Sequence, residues 1–216
     1  MGMILGITGG IGSGKSSVSR LLAAYCPAPL IDLDRCCRHL LDQGKPGWQA
    51  LHDSFGAGYE LPDGAIDRPK LRQHLFADAD FRQEVDGLLH PLALERMYEE
   101  INATGKGAER ILVEIPLLYE AGWQNHVDAV LVVFARRAVQ CCRLMRRDGI
   151  SRKDAGQALA VQMDLAVKAG RADYVIDNSS TWDVTRKAVV QLGDQLCSPV
   201  GTPLQSNSKK VLDSST

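Results

Sequence analysis

The stretch GGIGSGKSS, Gly9 to Ser17, follows the apolar run MILGIT (3–8) and precedes a segment in which Val18, Leu21, Leu22 and Tyr25 recur at i, i+3, i+4 and i+7. A buried strand, a glycine turn and an amphipathic helix are therefore expected in that order. Gly9-x4-Gly14-Lys15-Ser16 matches GxxxxGK[ST], the P-loop pattern. Glycines let the backbone of Gly10, Ile11, Gly12, Ser13 and Gly14 curl into a nest of N–H groups around phosphates, and the helix that starts at Lys15 adds the positive end of its dipole. Lys15 is expected on the terminal phosphates and the Ser16 hydroxyl on Mg2+, with Ser17 beside it.

Four further apolar runs read as strands: PLIDL (29–33), RILVEIP (110–116), DAVLVVFA (128–135) and DYVIDN (173–178). They are nearly continuous rather than alternating, as in strands covered on both faces of a parallel sheet. The reading is an α/β fold with a five-stranded parallel sheet and right-handed crossovers. Residues 38 to 109 hold no strand pattern but several amphipathic stretches, including Phe81, Val85, Leu88, Leu89 and Leu92, and read as a helical insertion. Pro91 is expected to kink or break the helix near His90. A second, arginine-rich insertion spans 136–169, and the Ser, Pro and Gly-containing stretch after Cys197 reads as a disordered tail.

The 216 residues carry a formal charge of -1, which gives no basis for nonspecific binding to nucleic acid or an anionic membrane. No apolar run approaches the length of a membrane span, and no basic segment with a long apolar core opens the chain. The six cysteines, Cys26, Cys36, Cys37, Cys141, Cys142 and Cys197, show neither CxxC spacing nor a framework pattern, so a reducing cytoplasm is the expected compartment.

A P-loop alone leaves open a kinase, a GTPase switch or another ATPase. No guanine-reading NKxD motif occurs, which favours a compact kinase. Strand ends of a parallel sheet share one rim, so Asp34, after the second strand, is placed to face the terminal phosphate and take the proton of an acceptor hydroxyl. Capping of the next helix is the competing role for Asp34 and, more so, for Asp32. Glu114 in ILVEIP occupies a strand position suited to a Mg2+ contact through water, or to a structural role. Arg143 and Arg147 are four apart, share one helical face, and would meet transferring phosphoryl charge from a flap. Lys168 is a further basic candidate.

The motifs GITGGIGSGKSS, IDLD (31–34), GAIDRPKLRQHLF (64–76), LLHP (88–91), PLLYE (116–120), QCCRLMRRDGIS (140–151) and, after Gln162, ADYVIDNSS (172–180) together resemble the dephospho-CoA kinase family, in order and spacing from about residue 3 to 197. The resemblance implies a three-layer P-loop kinase core with a five-stranded parallel sheet over 1–38, 108–138 and 168–197. It further implies a helical substrate-binding insertion at 39–107 and a helical lid at 139–167, with 198–216 left as tail. It implies ATP-dependent phosphorylation of the ribose 3′-hydroxyl of dephospho-CoA with Mg2+, by a cytoplasmic monomer or weak oligomer. Asp34 resembles the base, Lys15 and Arg143 the phosphate-stabilising groups, and Asn178 part of the nucleotide surroundings. Thr8, Asp32, Arg68, His90, Pro116, Leu117 and Lys168 are implied substrate contacts. Three departures stand out: DLD for DAD, which adds the bulk of Leu33 beside the expected base; GKSS for GKST; and NSS for NSG at 178–180.

Overall fold

The computed structural model describes residues 2–197 and 210–212. The chain divides into two compact units, Asp32–Thr104 and the remainder.

The larger unit is built on a parallel sheet. Its strands are β1 (Met3–Gly9), β2 (Leu30–Asp32, at the boundary of the units), β3 (Arg110–Glu114), β4 (Ala129–Phe134), β5 (Tyr174–Asp177) and β6 (Lys210–Leu212), in the order β2-β3-β1-β4-β5-β6. The five expected apolar runs each form a strand. β1 pairs in parallel with β3, with Ile7 opposite Glu114, and with β4, with Gly9 opposite Val133. The sixth strand, within the segment expected as tail, pairs in parallel with β5, and the rest of 198–216 lies outside the described residues.

Continuous burial along β1, β3 and β4 explains their unbroken apolar sequence. Helices α1 (Lys15–Tyr25) and α9 (Trp182–Cys197) cover the sheet with Val18, Leu22, Ala188, Val189 and Leu192, against Leu5, Ile7, Leu131, Val133 and Ile176. The buried stripe of α1 is Val18, Ser19 and Leu22, whereas Tyr25 is 40% exposed and donates through its hydroxyl to Asp194. Leu22 is fully buried, so Leu22→Ala should cost about 2–5 kcal/mol, read as a lowered urea midpoint at unchanged slope.

This unit also holds a 3-10 turn (Trp123–His126) and the helices α6 (Arg137–Asp148), α7 (Arg152–Ala160) and α8 (Leu165–Arg171). Ser151 and Asp164 cap α7 and α8 by accepting from Asp154 N–H and Ala166 N–H. Leu144, Ala155 and Leu159 form a satellite core joined by Ile11 of the glycine turn.

The smaller unit is helical: α2 (Leu33–Leu40), α3 (Pro46–Phe55), a 3-10 turn (Gly56–Tyr59), α4 (Arg68–Ala77) and α5 (Ala79–Thr104). Its core is Leu51, Ile66, Leu71, Phe81 and Val85, with His74 stacked on Phe81 at 3.9 Å between centroids. Asp67 of the IDR motif caps α4 by accepting from Lys70 N–H (3.0 Å). Of the kink or break expected at Pro91, the break does not occur: α5 runs through it for 26 residues. Phe81, Val85, Ala93, Met97 and Ile101 form the buried stripe, while Pro91 and Gly87 face solvent. Pro91 and Gly87, the residue whose carbonyl the missing Pro91 N–H would have met, both lie on the exposed side of α5, so no buried packing contact of the helix depends on that hydrogen bond.

Candidate active site

The chain turns from β1 into α1 through Gly12 (φ 74°) and Gly14 (φ 87°), both in the left-handed region that a side chain would strain. Gly14 is the N-cap of α1 and no side chain caps that terminus. The first turn of the helix therefore presents backbone N–H groups, the arrangement that receives phosphate oxygens. Within the loop, Ser13 Oγ is buried without a hydrogen-bond partner among the described residues. A cradle with uncapped donors and an orphaned hydroxyl fits the polyphosphate expected from the motif.

Glu114, the last residue of β3, is 2% exposed and gathers three side chains of α1. Lys15 Nζ lies 2.5 Å from its Oε2, Ser16 Oγ donates to the same oxygen (2.9 Å), and Ser19 Oγ donates to Oε1. Burial pushes the Glu114 carboxyl up, but the Lys15 ammonium and the serine hydroxyls outweigh it and hold the group below the usual carboxylate range. The sign follows: a depressed folded-state value adds stability that is present above the unfolded value and is lost as pH falls through the folded one. The stability gap between wild type and Glu114→Gln should therefore narrow on going from pH 7 to below the ordinary carboxylate range, measured by urea unfolding at each pH.

Arg143, on α6, reaches the loop. Its guanidinium donates to Ser13 O (3.2 Å), Gly12 O (3.4 Å) and Asn178 O (2.9 Å). Asn178, 3% exposed at the end of β5, donates from Nδ2 to Ser13 O (2.7 Å) and accepts from Thr185 Oγ1 (2.8 Å). Arg143 and Asn178 thus both meet the P-loop backbone. Arg147, four residues on, pairs with Asp148 at 2.7 Å with its side chain 61% exposed.

A second group forms beside the first. Thr8 Oγ1 donates to Pro116 O (3.0 Å), and Lys168, fully buried, donates to the same carbonyl (3.2 Å) while pairing with Glu120 Oε1 (2.8 Å). Three of the expected substrate residues, Thr8, Pro116 and Lys168, are thus brought together, with Leu117 exposed next to them. A lysine with no exposure is stable only with a charge partner, and Glu120 supplies it.

The remaining expected residues belong to the helical unit. Asp32 caps α2 through Oδ1, which accepts from Arg35 N–H (3.2 Å), and Asp34 sits in the first turn of that helix. Arg68 donates to Arg38 O (2.8 Å) and Asp42 Oδ1 (3.1 Å), and His90 lies 3.6 Å from Asp86, one turn away on α5.

Sequence reasoning missed Ser19, Thr185 and Gln140, which donates from Nε2 to Ile11 O (2.8 Å). Two carry a signal. Ser19 is the polar member of the buried stripe of α1, and Gln140 shares a helical face with Arg143 three residues later.

The dephospho-CoA kinase family model matches residues 3–183. The chain is similar to a dephospho-CoA kinase of Symbiobacterium thermophilum, 38% identical over 187 residues, which cover 86% of this chain and 78% of the relative. It is also similar to a crystal structure from Thermus thermophilus, with a TM-score of 0.77 and 29% identity over 90% of this chain and 98% of the other. The dephospho-CoA kinase structure from Campylobacter jejuni shares the fold, with a TM-score of 0.65 and 23% identity over 91% and 98%. Family match and relatives together place the chain in the dephospho-CoA kinase family.

Proposed function

We propose that the chain transfers the γ-phosphoryl of ATP to the ribose 3′-hydroxyl of dephospho-CoA and yields coenzyme A and ADP, with Lys15, Arg143 and Asp34 as the working side chains. Family membership makes the chain a kinase that uses ATP on a small-molecule substrate. The observation that carries the donor half is the uncapped start of α1 behind Gly12 and Gly14, with Lys15, Ser16 and Arg143 gathered on it.

Gly10, Ile11, Gly12, Ser13, Gly14, Lys15, Ser16 and Ser17 wrap the β- and γ-phosphates, which accept from N–H groups of this segment other than that of Ile11, held by Gln162 (2.8 Å), and Lys15 turns from Glu114 to the terminal phosphate. Arg143, already against the loop, neutralises charge that grows on the equatorial oxygens during transfer, with Arg147 on the same helix and Asn178 on the nucleotide side. Asp34 accepts the proton of the 3′-hydroxyl as its oxygen bonds to the γ-phosphorus. The bond from that phosphorus to the β–γ bridging oxygen breaks, and ADP leaves.

Mg2+, when bound, offsets the negative charge shared by the β- and γ-phosphates. Ser16 Oγ and the Glu114 carboxylate, 2.9 Å apart, are the hard oxygen donors that suit it, Ser16 directly and Glu114 through water. The acceptor is held by Thr8, Asp32, Arg68, His90, Pro116, Leu117 and Lys168. Residues 39–107 form the substrate lobe and 139–167 the lid in this reading. The enzyme works in the cytoplasm as a monomer or weak oligomer. No helix among the described residues is long and apolar enough to cross a membrane.

The test is product identification by mass after incubation with ATP, Mg2+ and either dephospho-CoA or a nucleoside monophosphate. Coenzyme A formed only from the former supports the reading. Phosphorylation of the nucleotide instead, or ATP hydrolysis without a phosphorylated acceptor, overturns it.

A further inference from the structure

The tip of the glycine loop is gripped from outside the motif. Ile11 N–H donates to Gln162 Oε1 (2.8 Å), and Ile11 C=O accepts from Gln140 Nε2 (2.8 Å). Both polar backbone groups of one loop residue are therefore taken by glutamine amides, one from α6 and one from the turn between α7 and α8. Their polarity is dictated by the partner, because a backbone N–H only donates and a carbonyl only accepts. Gln162 must present oxygen and Gln140 nitrogen.

Gln140 is 5% exposed, and its fit is tight. A Cβ on Gly10 would collide with Gln140 Nε2, and one on Gly12 would come within 2.9 Å of Gln140 O. Gly12 is thus required by the approach of the α6 backbone as well as by its positive φ, whereas a side chain at Gly10 would displace the Gln140 amide itself.

We infer that Gln140 and Gln162 are positioning residues for the phosphoryl donor. By fixing the Ile11 peptide they set the direction of the N–H groups that follow it. The inference rests on the P-loop reading given under Proposed function. Without the clasp the loop spends only part of its time in the cradle conformation, and the apparent affinity for ATP falls by that fraction. Both glutamines lie near the ends of the 139–167 segment, so any displacement of that segment is transmitted to the loop.

The test uses the full chain and ATP affinity measured by calorimetry without any acceptor, so that a wrong acceptor assignment cannot mimic failure of the clasp. Gln140→Met and Gln162→Met keep side-chain length and remove the amide, and each should weaken ATP binding about tenfold. In turnover with dephospho-CoA, KM for ATP should rise while KM for the acceptor stays unchanged, a split that general loosening of the fold would not produce. Gln162→Glu keeps an acceptor for Ile11 N–H, whereas Gln140→Glu sets an acceptor against Ile11 C=O. Both add the same charge, so Gln140→Glu should bind ATP at least about tenfold more weakly than Gln162→Glu. Amide exchange at Ile11 should accelerate in Gln162→Met and stay slow in Gln162→Glu, a readout that needs no nucleotide. Wild-type ATP affinity in both Met variants, or equal affinity in the two Glu variants, overturns the inference.

Discussion

Replacing Lys15 with alanine should lower kcat/KM by about 10²–10³-fold and reduce stability in the same variant, through two separable effects. The catalytic loss follows from removing the one lysine of the Gly9–Ser17 stretch, the group proposed to meet charge on the terminal phosphate. The stability loss follows from Glu114. Its carboxylate is buried, and Lys15 Nζ at 2.5 Å is the charge that balances it. Without the ammonium the Ser16 and Ser19 hydroxyls remain as donors, which is insufficient for a buried anion, and breaking such a pair costs about 3–5 kcal/mol. A second substitution separates the two. Lys15→Met with Glu114→Gln removes both charges from the interior and should recover most of the lost stability while activity stays low. Urea unfolding and steady-state kinetics on the two single variants and the double variant read both effects. Turnover of Lys15→Ala within tenfold of wild type would remove Lys15 from the phosphate site.

The loop from β1 to α1 was legible in the sequence because its torsions are demanding: positive φ at Gly12 and Gly14 is a requirement that few residues meet, and a lysine and serine at the helix start leave little freedom of interpretation. Strands buried on both faces were legible for the same kind of reason, since continuous apolar runs have few alternatives once glycine and proline bound them. What supports the loop was not. Gln162 and Thr185 are ordinary polar residues on a turn or an amphipathic helix, and nothing in their local spacing separates a buried hydrogen bond from a solvated face, while Ser19 and Gln140 carry only the weak signal of sharing a face with Val18 and Leu22 or with Arg143. Lys168 was legible as a basic candidate, but not its full burial, which rests on Glu120 and the Pro116 carbonyl, 48 and 52 positions away, supplying what water would.

In the helical unit the type of structure was legible and its continuity was not. Pro91 carries a strong local rule, but where it falls relative to the core depends on which stripe of α5 packs inward. The stripe Phe81, Val85, Ala93, Met97 and Ile101 leaves Pro91 on the outside. Tyr25 is the mirror case: the helical period of α1 placed it inward, but it stands at the last turn, where the neighbouring Gly193 of α9 lets its ring lie across the surface.

Asp34→Asn should lower kcat by about 10²–10⁴-fold while ATP affinity stays within about twofold of wild type. The competing role for Asp34 is helix capping, and at the start of α2 that role belongs to Asp32, whose Oδ1 accepts from Arg35 N–H (3.2 Å). Asp34 instead lies in the first turn, one position past the start of the helix, and its side chain is not the cap. Asparagine keeps the shape and a hydrogen-bonding oxygen but cannot take a proton, so the variant isolates base function from packing. Asp32→Ala is the contrasting control: it removes the cap, costs about 1 kcal/mol of stability, and in this assignment lowers kcat far less than Asp34→Asn. If Asp34→Asn retains near-normal turnover, the acceptor proton leaves by another route and the base must be sought elsewhere.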